Sequence, residues 1–425
     1  MADLDIAQYL RPGDTVLIGQ AAAEPPALVE KFIAAAHAIG GLTAFCGYTL
    51  SDAWAGVSPG QPNIKAYAAH GALRKLSAKG LVDIVPCHYG RIEELITAGH
   101  IRVDVVLLQV APADADGYYS LGATVDYAAV AAEQARVVLV EVNANMPPTS
   151  SSRALHRSRV AASITSSRVL ADSPARPAAA AERAVAENVA AFVPSGATIQ
   201  LGVGALADAI ARALHGRRDL LVRSGLVGDW LVDLDEAGAL ADSPGSCVTG
   251  IALGTDRLYK FLADSAKVRM APVDEQLAPA ALAQCDPYVA MNSAIEVDLH
   301  GQANAEVVAG RYVGAVGGQV GFLRAARKAR SGLAILALAA TNSDGSTSRI
   351  VPAVSGPVTT AQSDVDLVIT EFGAADLRGT SYPERAERPA CRGYRSPAAR
   401  VPPAGCSRAP SRPVNVASLD TKNLI

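Results

Sequence analysis

Ala197-Thr198-Ile199-Gln200-Leu201-Gly202-Val203-Gly204-Ala205 repeats a pattern met near the start of the chain, Asp14-Thr15-Val16-Leu17-Ile18-Gly19-Gln20-Ala21-Ala22. Each is a short β-branched run that ends in a glycine turn and opens into an alanine-rich stretch. A strand that turns directly into a helix is the first half of a βαβ unit. The surrounding sequence keeps the alternation: Thr15–Ile18 precedes a helix near 26–36, and Val103–Gln109 and Val137–Val142 are further strand-length runs. The fold class is therefore α/β, with parallel sheet and crossover helices. The two copies lie almost half a chain apart, so the repeating unit is a whole domain and not a solenoid element. The expected organisation is an internally duplicated pair of domains, 1–185 and 186–388. Arg176–Ala190 is the expected junction, helical because it lacks Gly and Pro after Pro177.

Bulk properties narrow the function. A chain of 425 residues exceeds one ordinary core. A net charge of −3 gives no electrostatic case for nucleic acid, so an anionic ligand must be held locally. The cysteines Cys46, Cys87, Cys247, Cys285, Cys391 and Cys406 form no CxxC pair, and the histidines do not cluster, which points to neither a metal site nor a disulfide framework. The first residues lack a secretory signal, and runs such as Val105–Val110 are too short to span a bilayer. The expectation is a soluble cytoplasmic protein with no membrane partner. From Pro389 onward Pro, Arg, Ala, Gly and Ser dominate and no acidic residue occurs before Asp420. That tail, 389–425, reads either as a disordered extension or as sequence that has departed from the native frame near Arg388.

Several segments carry candidate chemistry, each with a structural alternative. Gly202–Leu206 lies between a strand and a helix, where backbone N–H groups can approach an anion; a tight structural turn is the alternative. Ala207 occupies the third glycine position of a dinucleotide fingerprint, which disfavours nicotinamide. Gly314-Ala315-Val316-Gly317-Gly318-Gln319-Val320-Gly321-Phe322 leads into a basic helix at Leu323–Arg330, where Arg324, Arg327, Lys328 and Arg330 attract phosphate or form a solvated face. Met291–Gln302 alternates like one half-buried strand, with Glu296 and Asp298 on one face, either as paired carboxylates or as a solvated or arginine-paired pair. Cys87-His88 suggests a thiol nucleophile, but neighbours on a strand point to opposite sides, which favours a structural role.

The order of these segments resembles the acetyl-CoA hydrolase/transferase family, which includes 4-hydroxybutyrate and butyrate–acetate CoA-transferases. The similar stretches are Asp104–Pro112, Asp116–Gly122, Glu141–Pro147, Gln200–Ile210, Asn292–Gln302, Gly317-Gly318-Gln319, Ser348-Arg349-Ile350-Val351-Pro352, Val368–Gly373 and Leu377-Arg378-Gly379. The resemblance implies two CoA-transferase-type α/β domains with acyl-CoA at their cleft. It further implies CoA contacts from Gly202, Val203, Gly204, Ala205, Leu206, Ile295, Gly317 and Gly318. Acyl-CoA and a small carboxylate are then the substrates, with no tightly bound cofactor and no metal, in a homo-oligomer expected to be a dimer.

The same resemblance marks a departure. The family's nucleophilic glutamate, which forms a glutamyl-CoA thioester, sits in a His-Ser/Thr-Glu-Met-like stretch followed by Ser-Asp-Gly. Here the stretch is Arg223-Ser224-Gly225-Leu226 followed by Gly228-Asp229-Trp230, and Val232-Asp233-Leu234 matches again, so Gly225 stands at the glutamate position. Gly321 likewise stands where the family usually has Asp. Asp229, Glu296 and Glu371 are the carboxylates left as candidate bases. Three readings follow: an acyl-CoA transferase or hydrolase working without the usual glutamate, a CoA-binding protein that has lost catalysis, or a sugar-phosphate isomerase-like protein of similar architecture.

Overall fold

The computed structural model describes residues 4–282 and 284–388, so expectations about the tail 389–425 lie outside the described residues. Two large sheets hold the chain. The first is all parallel, in the order Asp83–Ile84, Asn63–Ala66, Thr43–Cys46, Thr15–Ile18, Val105–Val110, Val137–Asn143, Ala162–Ser166. The second runs Val268–Met270, Cys247–Ala252, Leu221–Val227, Thr198–Gln200, Tyr288–Asn292, Leu333–Ala337, Leu367–Thr370, and adds Gly373–Asp376 as an antiparallel edge. In each sheet the first strand of the repeat is central and the order reverses beside it. The two quoted segments thus occupy equivalent places, which is the duplication read from the sequence.

Interior strands such as Cys247–Ala252 are buried on both faces because helices cover both faces of a parallel sheet, whereas the edge strand Ala162–Ser166 is half exposed. Val105–Val110 is buried at every residue. The helix Pro26–Ile39 begins with proline in its first turn and buries Leu28, Val29, Phe32, Ile33 and Ala36, a 3.6-residue stripe packed on that sheet. The central apolar cluster takes residues from both halves, Val106 and Tyr127 from the first and Trp230 and Ile335 from the second. No helix of the described residues is long and apolar enough to cross a membrane.

Three elements differ from the sequence expectation. The linking helix spans Ala180–Ala190 and starts after Arg176, because Pro177 interrupts the turn and the Glu182 carboxylate caps the Ala179 N–H at 2.8 Å. The basic helix is Gln319–Lys328 and begins four residues earlier than expected, so Gly321 is helical. Met291–Gln302 is not one strand: Tyr288–Asn292 belongs to the large sheet, and Glu296–Asp298 joins a small sheet with Ala303–Asn304 and Ile350–Val351.

Candidate active site

In an open parallel sheet, ligands gather outside the carboxyl ends of the strands where the strand order reverses. In the second sheet that place lies between Thr198–Gln200 and Tyr288–Asn292, and the turn Gly202-Val203-Gly204 sits on it. Gly204 has φ +106, which L side chains rarely adopt, and heads the helix Ala205–Ala213 without a side-chain cap. A Cβ at Gly202 or Gly204 would meet nothing within 4 Å, so there is open space beside the turn, and the first N–H groups of a helix have no intrahelical partners. The Asn292 amide bonds Gln200 at 2.7 Å across the reversal, fixing the loop that carries Ile295.

Gly225 lies on the next strand, Leu221–Val227, whose end packs against that turn. Trp230 Nε1 donates to the Gly202 carbonyl at 2.9 Å, and a Cβ at Gly228 would touch Val203 at 3.4 Å. Gly225 is absent from the positive-φ glycines, so its backbone is one any residue adopts. Its Cβ position lies 3.4 Å from the Phe322 ring and 3.7 Å from Gln276 Oε1, ordinary contacts. The pairs Ser224↔Thr249 and Leu226↔Ile251 place Gly250 beside it on the neighbouring strand. There the Gln276 side chain lies so close that a Cβ would overlap Nε2 at 1.8 Å. Gln276 therefore covers both glycines. Gly318, just before the helix Gln319–Lys328, closes the far side: its Cβ position is 3.1 Å from the same Phe322 ring and 4.0 Å from Tyr89.

Tyr89 belongs to the first half, which meets this face through main-chain hydrogen bonds. Val125 donates to Gly250 at 2.7 Å, Ala252 to Ala123 at 2.8 Å and Tyr89 to Gly317 at 2.9 Å. Glu93 is buried and accepts from the Val273 and Asp274 N–H groups at 2.9 and 3.1 Å, anchoring the short helix that carries Gln276. Burial, reinforced by Asp274, pushes its carboxyl up to about 7. Beneath Tyr89 lies a buried polar cluster in which Asp126 accepts from the Gln20 amide and, at 3.4 Å, from the Tyr89 hydroxyl, while Tyr67 donates to Gln20 at 2.7 Å. Burial raises Asp126 to about 6 against the hydrogen bonds that favour its ionised form.

Each of the three candidate bases has partners of its own. Asp229 accepts both the N–H and the hydroxyl of Thr255, at 3.1 and 2.9 Å, fixing the start of the next helix. Glu296 is buried, not solvated or arginine-paired, and accepts from Asn304 at 3.0 Å and the Ser355 hydroxyl at 2.8 Å. Asp298 is likewise buried and accepts the His300 and Gln302 N–H groups. Glu371 accepts the Ala340 N–H at 2.8 Å and lies at the end of a strand four places from that of Gly225, about 19 Å across the sheet. Glu371 is thus remote from Gly225, whereas Asp229 directly follows the strand that carries it. Arg324 and Arg327 pair with Asp364 and Asp366, and Arg330 with Asp286, while all three stay largely exposed, so they form a solvated basic face whose charges are partnered.

Cys87 and His88 follow the strand Asp83–Ile84 instead of lying on one. Both line a cavity of about 570 Å³ with Arg91, Glu306 and Arg324. Burial raises the Cys87 thiol above its usual range and lowers His88, which Arg324 and Arg91 lower further. A raised thiol is a poor nucleophile. The sequence reading missed Gln276, Tyr89, Glu93 and Asp126. Only Asp126 left a signal, as an N-cap before the alanine run of the helix Tyr127–Gln134, where it accepts the Ala128 N–H at 2.8 Å.

The acetyl-CoA hydrolase/transferase N-terminal domain matches residues 1–154, and the C-terminal domain of the same family matches residues 254–389. The 4-hydroxybutyrate coenzyme A transferase of Clostridium kluyveri is 35% identical over 74% of this chain and 75% of its own length. The succinyl-CoA:cyclohexane-1-carboxylate CoA transferase of Geobacter metallireducens is 31% identical over 90% of this chain and 89% of its own. Among solved structures, RipA from Yersinia pestis superposes with a TM-score of 0.82 at 32% identity, covering 89% of this chain and 90% of that one.

Proposed function

The chain belongs to the acetyl-CoA hydrolase/transferase family, and on that premise we propose that it cleaves a short-chain acyl-CoA by direct attack of water. The open turn Gly202–Leu206, with Ile295 nearby, receives the CoA phosphates and pantetheine arm, and Gly317 and Gly318 flank the thioester beside Gly225. In this reading Gly225 stands where the family's glutamate attacks. Transfer of CoA between carboxylates needs a covalent carrier. Hydrolysis needs a held water and donors for the developing oxyanion.

The observation that carries the choice is the surroundings of Gly225: a phenylalanine ring and an amide oxygen flank it, and no carboxylate lies among its nearest atoms. The names of the relatives, both transferases acting on CoA thioesters of carboxylic acids, favour a small carboxylate as the acid released and disfavour a sugar-phosphate isomerase-like reading. The same reading takes the halves to divide between residues 185 and 186. It takes the protein as a soluble cytoplasmic homodimer that uses CoA thioester as substrate, without a tightly bound cofactor.

The test is thiol release from acetyl-, propionyl- and butyryl-CoA, with and without a second carboxylate. Release at the same rate without the acceptor is the expected result. CoA exchange that requires the acceptor and yields no free thiol would contradict hydrolysis. Acyl-CoA binding without turnover would identify a CoA-binding protein instead.

A further inference from the structure

The seam over Gly225 holds a polar atom that the fold leaves without a partner. Gln276 is 4% exposed. Its amide nitrogen donates to the Ala271 carbonyl at 2.6 Å, which fixes the orientation of the amide and leaves Oε1 aimed the other way. That oxygen is buried and accepts no hydrogen bond. It lies 3.7 Å from the Cβ position of Gly225 and 3.0 Å from that of Gly250. Leaving such an acceptor unpaired costs about 1–3 kcal/mol, so the site calls for a donor.

The supporting scaffold is specific. Glu93 of the first half clamps the two N–H groups that begin the helix Val273–Gln276, and the close approach of the amide is possible only because residue 250 is glycine. Gln276 also lines a cavity of about 720 Å³ together with Thr198, Arg223 and Arg269. Arg223 and Gly225, two apart on one strand, share a sheet face, and the cavity opens at the amino ends of the strands, beside Gly196, Leu221 and Gly245.

We propose that Gln276 Oε1 holds the attacking water in the space a glutamate side chain at 225 would fill. The inference rests on the hydrolytic reading above and names the residue that makes it work. The water oxygen bonds to the thioester carbonyl carbon and the C–S bond breaks, its electron pair leaving with the CoA sulfur. One water proton ends on that thiolate. The other passes to solvent as the carboxylic acid ionises. Gln276 is a positioning residue: it accepts a hydrogen bond from the water and aims a lone pair at the carbonyl, and it takes no proton itself.

The test uses the full chain with Gln276→Leu, which keeps the volume and removes the acceptor, and Gln276→Met in parallel should the first fold poorly. Steady-state hydrolysis of acetyl-CoA and melting temperature are measured for each. The expected result is a fall in kcat of about tenfold or more with KM little changed, since a misplaced reactant costs that much. A merely structural role would move melting temperature and KM together. A folded variant with undiminished kcat overturns the role of Gln276 while leaving hydrolysis standing. A wild-type protein that releases no thiol from any short acyl-CoA overturns both.

Discussion

Placing a carboxylate at residue 225 is the perturbation whose consequence the structure lets us work through. Gly225 sits in a strand interior with ordinary φ, and its Cβ would make contacts of 3.4 and 3.7 Å, so Gly225→Glu meets neither backbone strain nor overlap at the first atom. Removing a strand glycine returns about 0.5–1 kcal/mol of chain entropy. Placing an imperfectly paired carboxylate at a half-buried position, facing the Gln276 oxygen, costs about 1–3 kcal/mol. The net is a destabilisation of about 0–2.5 kcal/mol, small enough for the variant to fold. Between Phe322 and Gln276 the new carboxylate points into the proposed thioester site. Incubation with acetyl-CoA followed by mass spectrometry should then show a hydroxylamine-sensitive CoA adduct on residue 225 of the variant and none on wild type. An adduct on another carboxylate of wild type would refute the assignment of the site. So would a variant with unchanged melting that neither forms an adduct nor alters turnover.

Three further outcomes follow from the geometry. Gly204→Ala must force an L residue into φ +106 at the open turn, which costs about 1–2 kcal/mol, and should weaken acyl-CoA binding about tenfold by calorimetry, the 1.4 kcal/mol equivalent; unchanged affinity would remove the turn from the site. Asp229→Ala deprives Thr255 of its N–H and hydroxyl acceptor and should destabilise the fold by about 1–3 kcal/mol in denaturant titration, whereas no loss would show the contact to be idle. Asp126 is raised from 3.8 to about 6 in the folded protein, so the stability tied to its protonated form is fully present below pH 3.8 and lost as pH rises through about 6. Asp126→Asn should therefore gain up to about 3 kcal/mol relative to wild type on moving from pH 4 to pH 8, and parallel melting curves across that range would contradict the burial argument.

What the sequence shows clearly is what short-range pattern encodes. The strand–glycine–helix segments at Thr15 and Thr198 appear as paired centres of two equivalent sheets, and the Gly202–Leu206 turn lies at the point of reversal, because alternation and glycine placement are local properties. What it conceals depends on partners far along the chain. Glu296 reads as a solvated face until Ser355, 59 residues later, arrives to bond it, and the arginines of the helix Gln319–Lys328 look unpaired until Asp364 and Asp366 approach. Gln276 belongs to no motif: its place follows from a four-residue helix clamped by Glu93 from the other half of the molecule over glycines on two neighbouring strands. Gly225 could be singled out by resemblance, but its companion Gly250 could not, since only strand register puts them side by side.

The central claim, that water and not an enzyme carboxylate attacks the thioester, is tested most directly by a single turnover with enzyme in excess over acetyl-CoA in ¹⁸O-labelled water. In the glutamyl route the oxygen gained by the acid comes from the enzyme side chain, so the first acetate formed would be unlabelled. Direct attack places one solvent oxygen in every acetate from the first turnover. Full labelling of that first acetate is the result predicted here; unlabelled acetate would contradict it and reveal a carboxylate nucleophile elsewhere in the chain.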